Sequence, residues 1–253
     1  MEAQKKGKLL TLNDFLLLSV IGKGSYAKVL LVKKKDTGEV LALKVLKKEM
    51  IEKRKQEEHV KTERNVLVDI VHPFVVKLAY AFQNDRKLFF ALEYCPGGEL
   101  FSLLQRRKIF TEDQARFYSV QVLLALEHLH SKDVVYRDLK PENVLIDSKG
   151  YLRITDFGLS KKNVKGMKDA FSVCGTPEYL APEVLLKKGH GKPVDWWSFG
   201  CFIYEMLTGL PPFYTKTREE LFEKIKFDPP KLPPKLSTSS KELIQSLLNK
   251  DPE

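Results

Sequence analysis

The stretch Val135–Gly158, VYRDLKPENVLIDSKGYLRITDFG, constrains this chain more than any other. It places Asp138, Lys140 and Asn143 in one short loop, follows them with an apolar strand, and brings in a second acid, Asp156, beside Gly158. Chemically these are a base or orienting carboxylate, a cation suited to a phosphate, and two oxygen donors for a hard metal ion. Mg²⁺ is ordinarily held by one or two carboxylates together with substrate phosphates, and Asn143 and Asp156 can supply the protein's share. Around such a loop a chain needs a nucleotide, a shaped cleft and a switch.

The residues ahead of it read as a sheet. FLLLSVI, AKVLLVKK and VLALKVLKK, within residues 15 to 47, are apolar runs broken by GKGSY and KDTGE. Gly22-Lys23-Gly24-Ser25-Tyr26-Ala27-Lys28-Val29 matches GxGxxGxV with Ala27 at the third glycine. Glycines there let backbone N–H groups approach phosphate oxygens. A strand follows this turn, whereas the dinucleotide fingerprint opens a helix. In the third strand Val40, Ala42, Lys44 and Leu46 share a face. Lys44 is either a lysine snorkelling from a sheet edge or one held in a cleft to meet a phosphate or carboxylate. Lys47 to Asp69 reads as charged helix, ending before His72-Pro73, with Glu63 one turn from Leu67.

Two further strands are expected around Val75–Phe82 and Leu88–Tyr94. Cys95-Pro-Gly-Gly-Glu99 is then the best domain boundary in the chain. Beyond it the period changes to that of helices. Thr111 to Gln114 is a capping box that opens a long helix, with Ala115, Tyr118, Val122, Ala125, Leu126 and Leu129 as its buried stripe. Val194–Gly209 is apolar nearly all round, as a buried helix should be. Ser239 to Glu242 reads as a second box, opening a helix with Leu243, Ile244, Leu247 and Leu248 inward. A small β-rich lobe therefore precedes a larger helical one, and clefts between such lobes are preferred ligand sites.

Composition narrows the function classes. A chain of 253 residues has room for two lobes with real cores. The net charge of +10 raises nucleic acid as a partner. The lysines, however, are scattered in pairs and triplets among acids, with no basic stripe interleaved with aromatics, so a solvated basic surface is the reading and no nucleic acid is expected. No run approaches the roughly 18 apolar residues of a membrane span, and no integral membrane segment is expected. Glu2 stands where N-myristoylation needs glycine, and the N-terminus has no secretory apolar core. Three cysteines without paired spacing give neither a disulfide framework nor a zinc site. A cytoplasmic location, with nuclear access, is the expectation.

Gly22/Gly24, Lys44, Glu63, Tyr136-Arg-Asp-Leu-Lys-Pro-Glu-Asn143, Asp156-Phe-Gly158 and Ala181-Pro-Glu183 stand in the order of the protein-kinase signature. The chain resembles the eukaryotic protein kinases over about residues 15 to 253. Lys140 and the Gly175-Thr-Pro-Glu-Tyr run resemble Ser/Thr kinases. Tyr136 in place of the usual His, with Cys174 to Glu183, resembles the AGC family, in particular the branch of protein kinase B and the serum- and glucocorticoid-regulated kinases.

The resemblance implies an α+β, bilobal fold: an N-terminal extension (1–14), a small β-rich N-lobe with one regulatory helix (15–94), a hinge (95–98) and a larger, mainly helical C-lobe (99–253). It implies a transferase that moves the γ-phosphoryl group of ATP to Ser/Thr hydroxyls, with Mg²⁺, or Mn²⁺ in its place, as cofactor. Ile21 would belong to the ATP site, Gly22, Lys23, Gly24, Ser25 and Tyr26 would cover the phosphates, and Lys44 would hold them while paired to Glu63. Val29, Ala42 and Leu145 would enclose the adenine, Glu93 and Cys95 would bond its edge, Leu92 would be the gatekeeper, and Glu99 would complete the nucleotide site. Asn143 and Asp156 would bind the metal. Asp138 would accept or orient the substrate hydroxyl, and Lys140 would neutralise charge on the moving phosphoryl group.

Two further sets follow from the resemblance. Ser172 falls at the activating phosphosite, where an upstream kinase would act, and Arg137, Lys161 and His59 would receive its phosphate; a solvated loop serine is the rival reading. Glu99, Glu142 and Glu205, with Thr176, would form the subsite for protein substrates with upstream Arg or Lys. Departures from the family pattern are Ala27 and an end at Glu253, ahead of the arginine that would pair with Glu183. On that ground a catalytically weak or silent kinase-like binding module is the alternative function.

Overall fold

Apolar runs of period two from Phe15 onward become an antiparallel sheet. In the computed structural model, which describes residues 10–24 and 27–252, β1 (Phe15–Lys23), β2 (Ala27–Lys34), β3 (Val40–Lys47), β4 (Leu78–Gln83) and β5 (Lys87–Glu93) are ordered β1-β2-β3-β5-β4. Leu41 and Leu43 of β3 join Phe15, Val32, Phe89 and Ala91 in a buried cluster on one face. Burying each large side chain there contributes about 1.5–3 kcal/mol relative to water. Phe82 stacks on Phe15 and on Phe89, with ring centroids 5.6 and 4.7 Å away. The other face of β3 carries Ala42, Lys44 and Leu46, the alternation expected from the sequence. The turn between β4 and β5 is held by Asn84, whose Oδ1 accepts the N–H groups of Arg86 and Lys87 at 3.0 and 2.8 Å.

Contacts divide the chain into two compact units, Met1–Glu58 with Lys77–Tyr94 and His59–Val76 with Cys95–Glu253. The first is the sheet with α1 (Lys48–Lys53). The second contains most of α2 (Glu57–Asp69), then α3 (Leu100–Arg107), α4 (Glu112–Ser131), α5 (Pro182–Leu185), α6 (Pro193–Thr208), α7 (Arg218–Phe227) and α8 (Thr238–Leu247), with a small sheet of β6 (Gly98–Glu99), β7 (Val144–Ile146) and β8 (Leu152–Ile154). Among the described residues, no helix is long and apolar enough to cross a membrane.

Three expectations are corrected in detail. The span from Lys47 to Asp69 is two helices, because Lys55 turns left-handed (φ 53°) and its N–H returns to Glu52 O at 3.0 Å, closing α1. Val75 and Val76 are not part of β4. They run beside Ile154 instead, with Val76 N–H donating to Ile154 O at 2.9 Å. Finally, α8 is capped by Ser237, whose Oγ accepts the Ser240 N–H at 3.1 Å, and Leu243 points outward while Ile244 and Leu248 are buried. In a run of Ser-Thr-Ser-Ser each hydroxyl can cap, and the spacing alone selected the wrong one.

The Thr111 box forms as expected. Gln114 N–H reaches Thr111 Oγ1 at 3.2 Å and Thr111 N–H reaches Gln114 Oε1 at 3.1 Å. The buried face of α4 then runs through Ala115, Val122, Ala125, Leu126 and Leu129.

Candidate active site

The loop that follows α4 is held from below by α6. That helix is buried on nearly every side, and among its apolar residues stands a fully buried acid, Asp195. Its Oδ2 accepts the Tyr136 N–H at 2.8 Å and lies 2.7 Å from His130 Nε2, while Oδ1 accepts the Arg137 N–H at 2.7 Å. Arg137 can therefore sit left-handed, at φ 68°, a conformation that costs about 1–3 kcal/mol unless its surroundings enforce it. Tyr136 is also completely buried, and its hydroxyl donates to Thr155 O at 2.5 Å.

The turn so anchored brings the sequence-identified residues together. Asn143 Nδ2 donates to Asp138 O at 2.8 Å and to Asp138 Oδ2 at 2.7 Å. Lys140 Nζ lies 3.3 Å from Asp138 Oδ2 and donates to Thr176 Oγ1 at 2.8 Å. The Thr176 hydroxyl in turn donates to Asp138 Oδ1 at 3.2 Å. Carboxylate and lysine thus grip one aliphatic hydroxyl from two sides. Gly175 permits the approach: at φ 111°, with a position where a Cβ would lie 2.9 Å from Arg137 O, no other residue fits without displacement.

Asp156 follows β8, also left-handed at φ 59°. Next to it Phe157 is buried against Tyr136, ring centroids 5.2 Å apart. Because the Asn143 amide nitrogen is committed to Asp138, the carbonyl oxygen of that amide is the donor it can offer a cation. Asn143 and Asp156 make an oxygen-only pair, which suits Mg²⁺ completed by phosphates and water. Among the described residues, no group of three or more His, Cys, Asp or Glu could hold a metal by itself.

In the sheet unit the nucleotide candidates share one face. Val29 of β2 and Phe90 of β5 stand directly opposite Lys44, and Leu92 stands opposite Ala42. Gly22 is paired with Val29, and Gly24 N–H donates to Ala27 O at 2.8 Å, closing the turn. Ile21 and Lys23 lie on β1, and Glu93 ends β5. Ser25 and Tyr26 lie outside the described residues. In the helical unit Cys95 is buried, Glu99 pairs with Leu145 across β6 and β7, and Glu63 is buried on α2 beside Val60 and Val66.

The acids assigned to the substrate are divided. Glu142, Glu205 and Thr176 line one groove of about 760 Å³ in the helical unit, joined there by Glu178 and Tyr179, while Glu99 is exposed outside that lining. Glu205 is buried, and burial pushes its carboxyl up to about 7, with Glu142 and Glu178 adding to the shift against the Tyr179 hydroxyl that donates to it. At the serine expected to be the phosphosite, Arg137 Nη1 donates to the exposed Ser172 Oγ at 2.9 Å and Arg137 Nε to Leu159 O at 2.7 Å. Lys161 pairs by its backbone with Val135 and points its amine at Asp169 O. His59 lies beside Gly158, whose absent Cβ would stand 3.9 Å from His59 Cβ.

Residues 15–253 match the family described as Protein kinase domain. The chain belongs to that family. It is 52% identical over 250 residues to a RAC family serine/threonine-protein kinase homolog of Dictyostelium discoideum, covering 98% of this chain and 56% of the relative. It is 51% identical over 245 residues to the serine/threonine-protein kinase sgk-1 of Caenorhabditis elegans (96% and 53%). The serine/threonine-protein kinase Sgk1 of Homo sapiens is 50% identical over 240 residues (94% and 56%). These likenesses support the branch within the AGC kinases read from Tyr136 and Cys174–Glu183. The chain spans about half the length of the curated relatives it matches.

Sequence reasoning missed three residues of this candidate site. Asp195 was hidden in an apolar helix, yet an acid inside such a run is itself a signal, since a buried carboxylate requires donors. Glu178 and Tyr179 were read only as part of a motif, and their place beside Glu205 follows from the turn after Thr176 (Pro177–Tyr179).

Proposed function

We propose that this protein kinase domain transfers the γ-phosphoryl group of ATP to Ser or Thr hydroxyls of protein substrates. The observation that carries the reading is the Thr176 hydroxyl, held between Asp138 Oδ1 at 3.2 Å and Lys140 Nζ at 2.8 Å. A substrate hydroxyl needs that same pairing, a carboxylate to orient or take its proton and a cation for the charge that develops on the transferred group. Protein kinases use ATP with Mg²⁺, and the bound metal offsets phosphate charge. Asn143 and Asp156 are the residues assigned to hold it. Lys44 and the Gly22–Gly24 turn are assigned to the phosphates and Glu63 to the orientation of Lys44. Val29, Ala42, Leu92, Glu93, Cys95 and Leu145 are assigned to the adenine. The assembled loop gives no support to a silent binding module.

The substrate class is proposed to be peptides with Arg or Lys upstream of the acceptor. Glu142, Glu178 and Glu205 line one groove with Thr176, and arginine meets carboxylates through a bidentate fork. An upstream kinase acting on Ser172 is proposed to order the segment after Gly158 through Arg137, Lys161 and His59. The test is transfer of labelled phosphate to a degenerate peptide library. Label on Ser and Thr, with enrichment of upstream Arg, is the expected result. Label on Tyr, or an absence of any basic preference, overturns the assignment.

A further inference from the structure

Gly189-His190-Gly191 lies flat against the segment that carries Ser172. Ala170 N–H donates to His190 O at 3.0 Å and His190 N–H to Ala170 O at 2.8 Å, two residues before the phosphosite. Both flanking glycines are required by contact. A Cβ on Gly189, at φ 83°, would stand 3.0 Å from Lys168 Cβ and Phe171 Cε1, and one on Gly191 would overlap Gly166 O. His190 is buried and lines a small cavity with Arg137 and Cys174. Cys174 Sγ is 3.9 Å from Ser172 Oγ, and Arg137 Nη1 is 2.9 Å from it. A buried imidazole that shares a cavity with the arginine already holding the Ser172 hydroxyl is placed to respond to a change of charge there.

We propose that His190 is a proton-linked member of the phosphate-binding site for phosphorylated Ser172. This rests on the reading of Ser172 as the activating site and adds a residue to it. Around His190 the charged and titratable groups are Arg137, Lys161, Asp195, Cys174 and Tyr179, with Lys168 against Gly189. In the unmodified protein burial, then the Arg137 and Lys161 charges, push the imidazole down to about 4, only partly offset by Asp195. A phosphoryl group on Ser172 adds about −1.5 to −2 charges next to Arg137. That charge offsets both cations, so a ring nitrogen takes one proton from solvent and donates to the anionic site. No other bond is made or broken. Proton uptake by the phosphorylated state means that falling pH favours it over the unmodified one.

The experiment places phosphoserine at position 172 by codon reassignment and follows all five histidines by ring-proton NMR against pH. The His190 resonance is assigned by its loss in His190→Gln. Should that variant not fold, it is assigned by elimination with single substitutions of His59, His72, His128 and His130. The expected result is a His190 midpoint at least about one pH unit higher in the phosphoserine protein, a tenfold change in proton affinity. In His190→Gln the ³¹P midpoint of phosphoserine should rise, because a neighbouring cation is lost. An unchanged His190 midpoint overturns the proposal. Activity separates the two ideas: phosphoserine that raises kcat/KM without moving His190 leaves the switch standing and removes His190 from it. A moved midpoint without activation keeps the site and removes the switch.

Discussion

Asp195, itself fully buried, accepts the backbone N–H of Arg137 at 2.7 Å from within a helix buried on nearly every side. The bond ties the candidate catalytic loop to the most deeply buried element of the helical unit. It also holds Arg137 in the left-handed conformation from which its side chain meets Ser172. Asp195→Ala would leave the N–H groups of Tyr136 and Arg137 buried and unpaired, at about 1–3 kcal/mol each. The variant is expected to lose roughly 2–5 kcal/mol in urea unfolding and most of its turnover, with Asp195→Asn losing less because one oxygen remains. A loss below about 1 kcal/mol for the alanine variant would show that the loop holds itself.

Glu205 gives the groove a pH dependence. Its carboxyl is raised to about 7 by burial, so it gains charge as pH rises, and the basic peptide proposed as substrate requires the charged form. KM for an Arg-containing peptide should therefore fall by about tenfold between about pH 6 and about pH 8. Glu205→Gln should flatten that dependence and leave KM high throughout. The stability sign is opposite. A carboxyl whose folded value lies above its unfolded one contributes stability that is present below the unfolded value and lost as pH rises through about 7.

Glu183 is buried, and among the described residues no cation meets it; burial raises its carboxyl from the ordinary value. A buried acid of this kind weakens the fold as pH rises through its folded value, because the charge is then paid for in desolvation. Glu183→Gln keeps the shape and removes the charge. Thermal unfolding near neutral pH should show it more stable by about 1 kcal/mol, with the gain shrinking in acid. A less stable variant at neutral pH would mean that the carboxylate has a partner.

Ser172→Ala removes the acceptor of the proposed activating phosphate and a single hydrogen bond from Arg137. Stability should change by no more than about 1 kcal/mol, while kcat/KM after treatment with an upstream kinase should fall by orders of magnitude. Wild-type kcat/KM in the treated variant would exclude Ser172 as the switch.

Much of this fold was legible because its local signals agree with its tertiary demands. The alternation through Leu41, Ala42, Leu43 and Lys44 determines which face of β3 is core, and the Thr111 box marks the start of α4 to the residue. Asp138, Lys140 and Asn143 were identifiable because their spacing within one loop leaves little freedom. What stayed hidden depended on distant parts of the chain. Asp195 meets the loop across more than fifty positions of sequence, and nothing local in VDWW states its partner. The break at Lys55 was also illegible, since a left-handed lysine carries no signal in composition. Ser237 rather than Ser239 caps α8 because Glu112 Oε1 accepts the Ser237 N–H at 2.8 Å, a contact from another helix.

The most direct test of the central claim is single-turnover transfer of labelled γ-phosphate from Mg·ATP to an Arg-containing serine peptide, comparing wild type with Asp138→Asn. The asparagine keeps the shape of the residue that Thr176 and Lys140 contact and removes its charge. Measurable transfer by wild type, reduced at least about a thousandfold in the variant at similar nucleotide affinity, is predicted. Equal rates in the two proteins would contradict the assignment of Asp138 and, with it, the chemistry proposed for the loop.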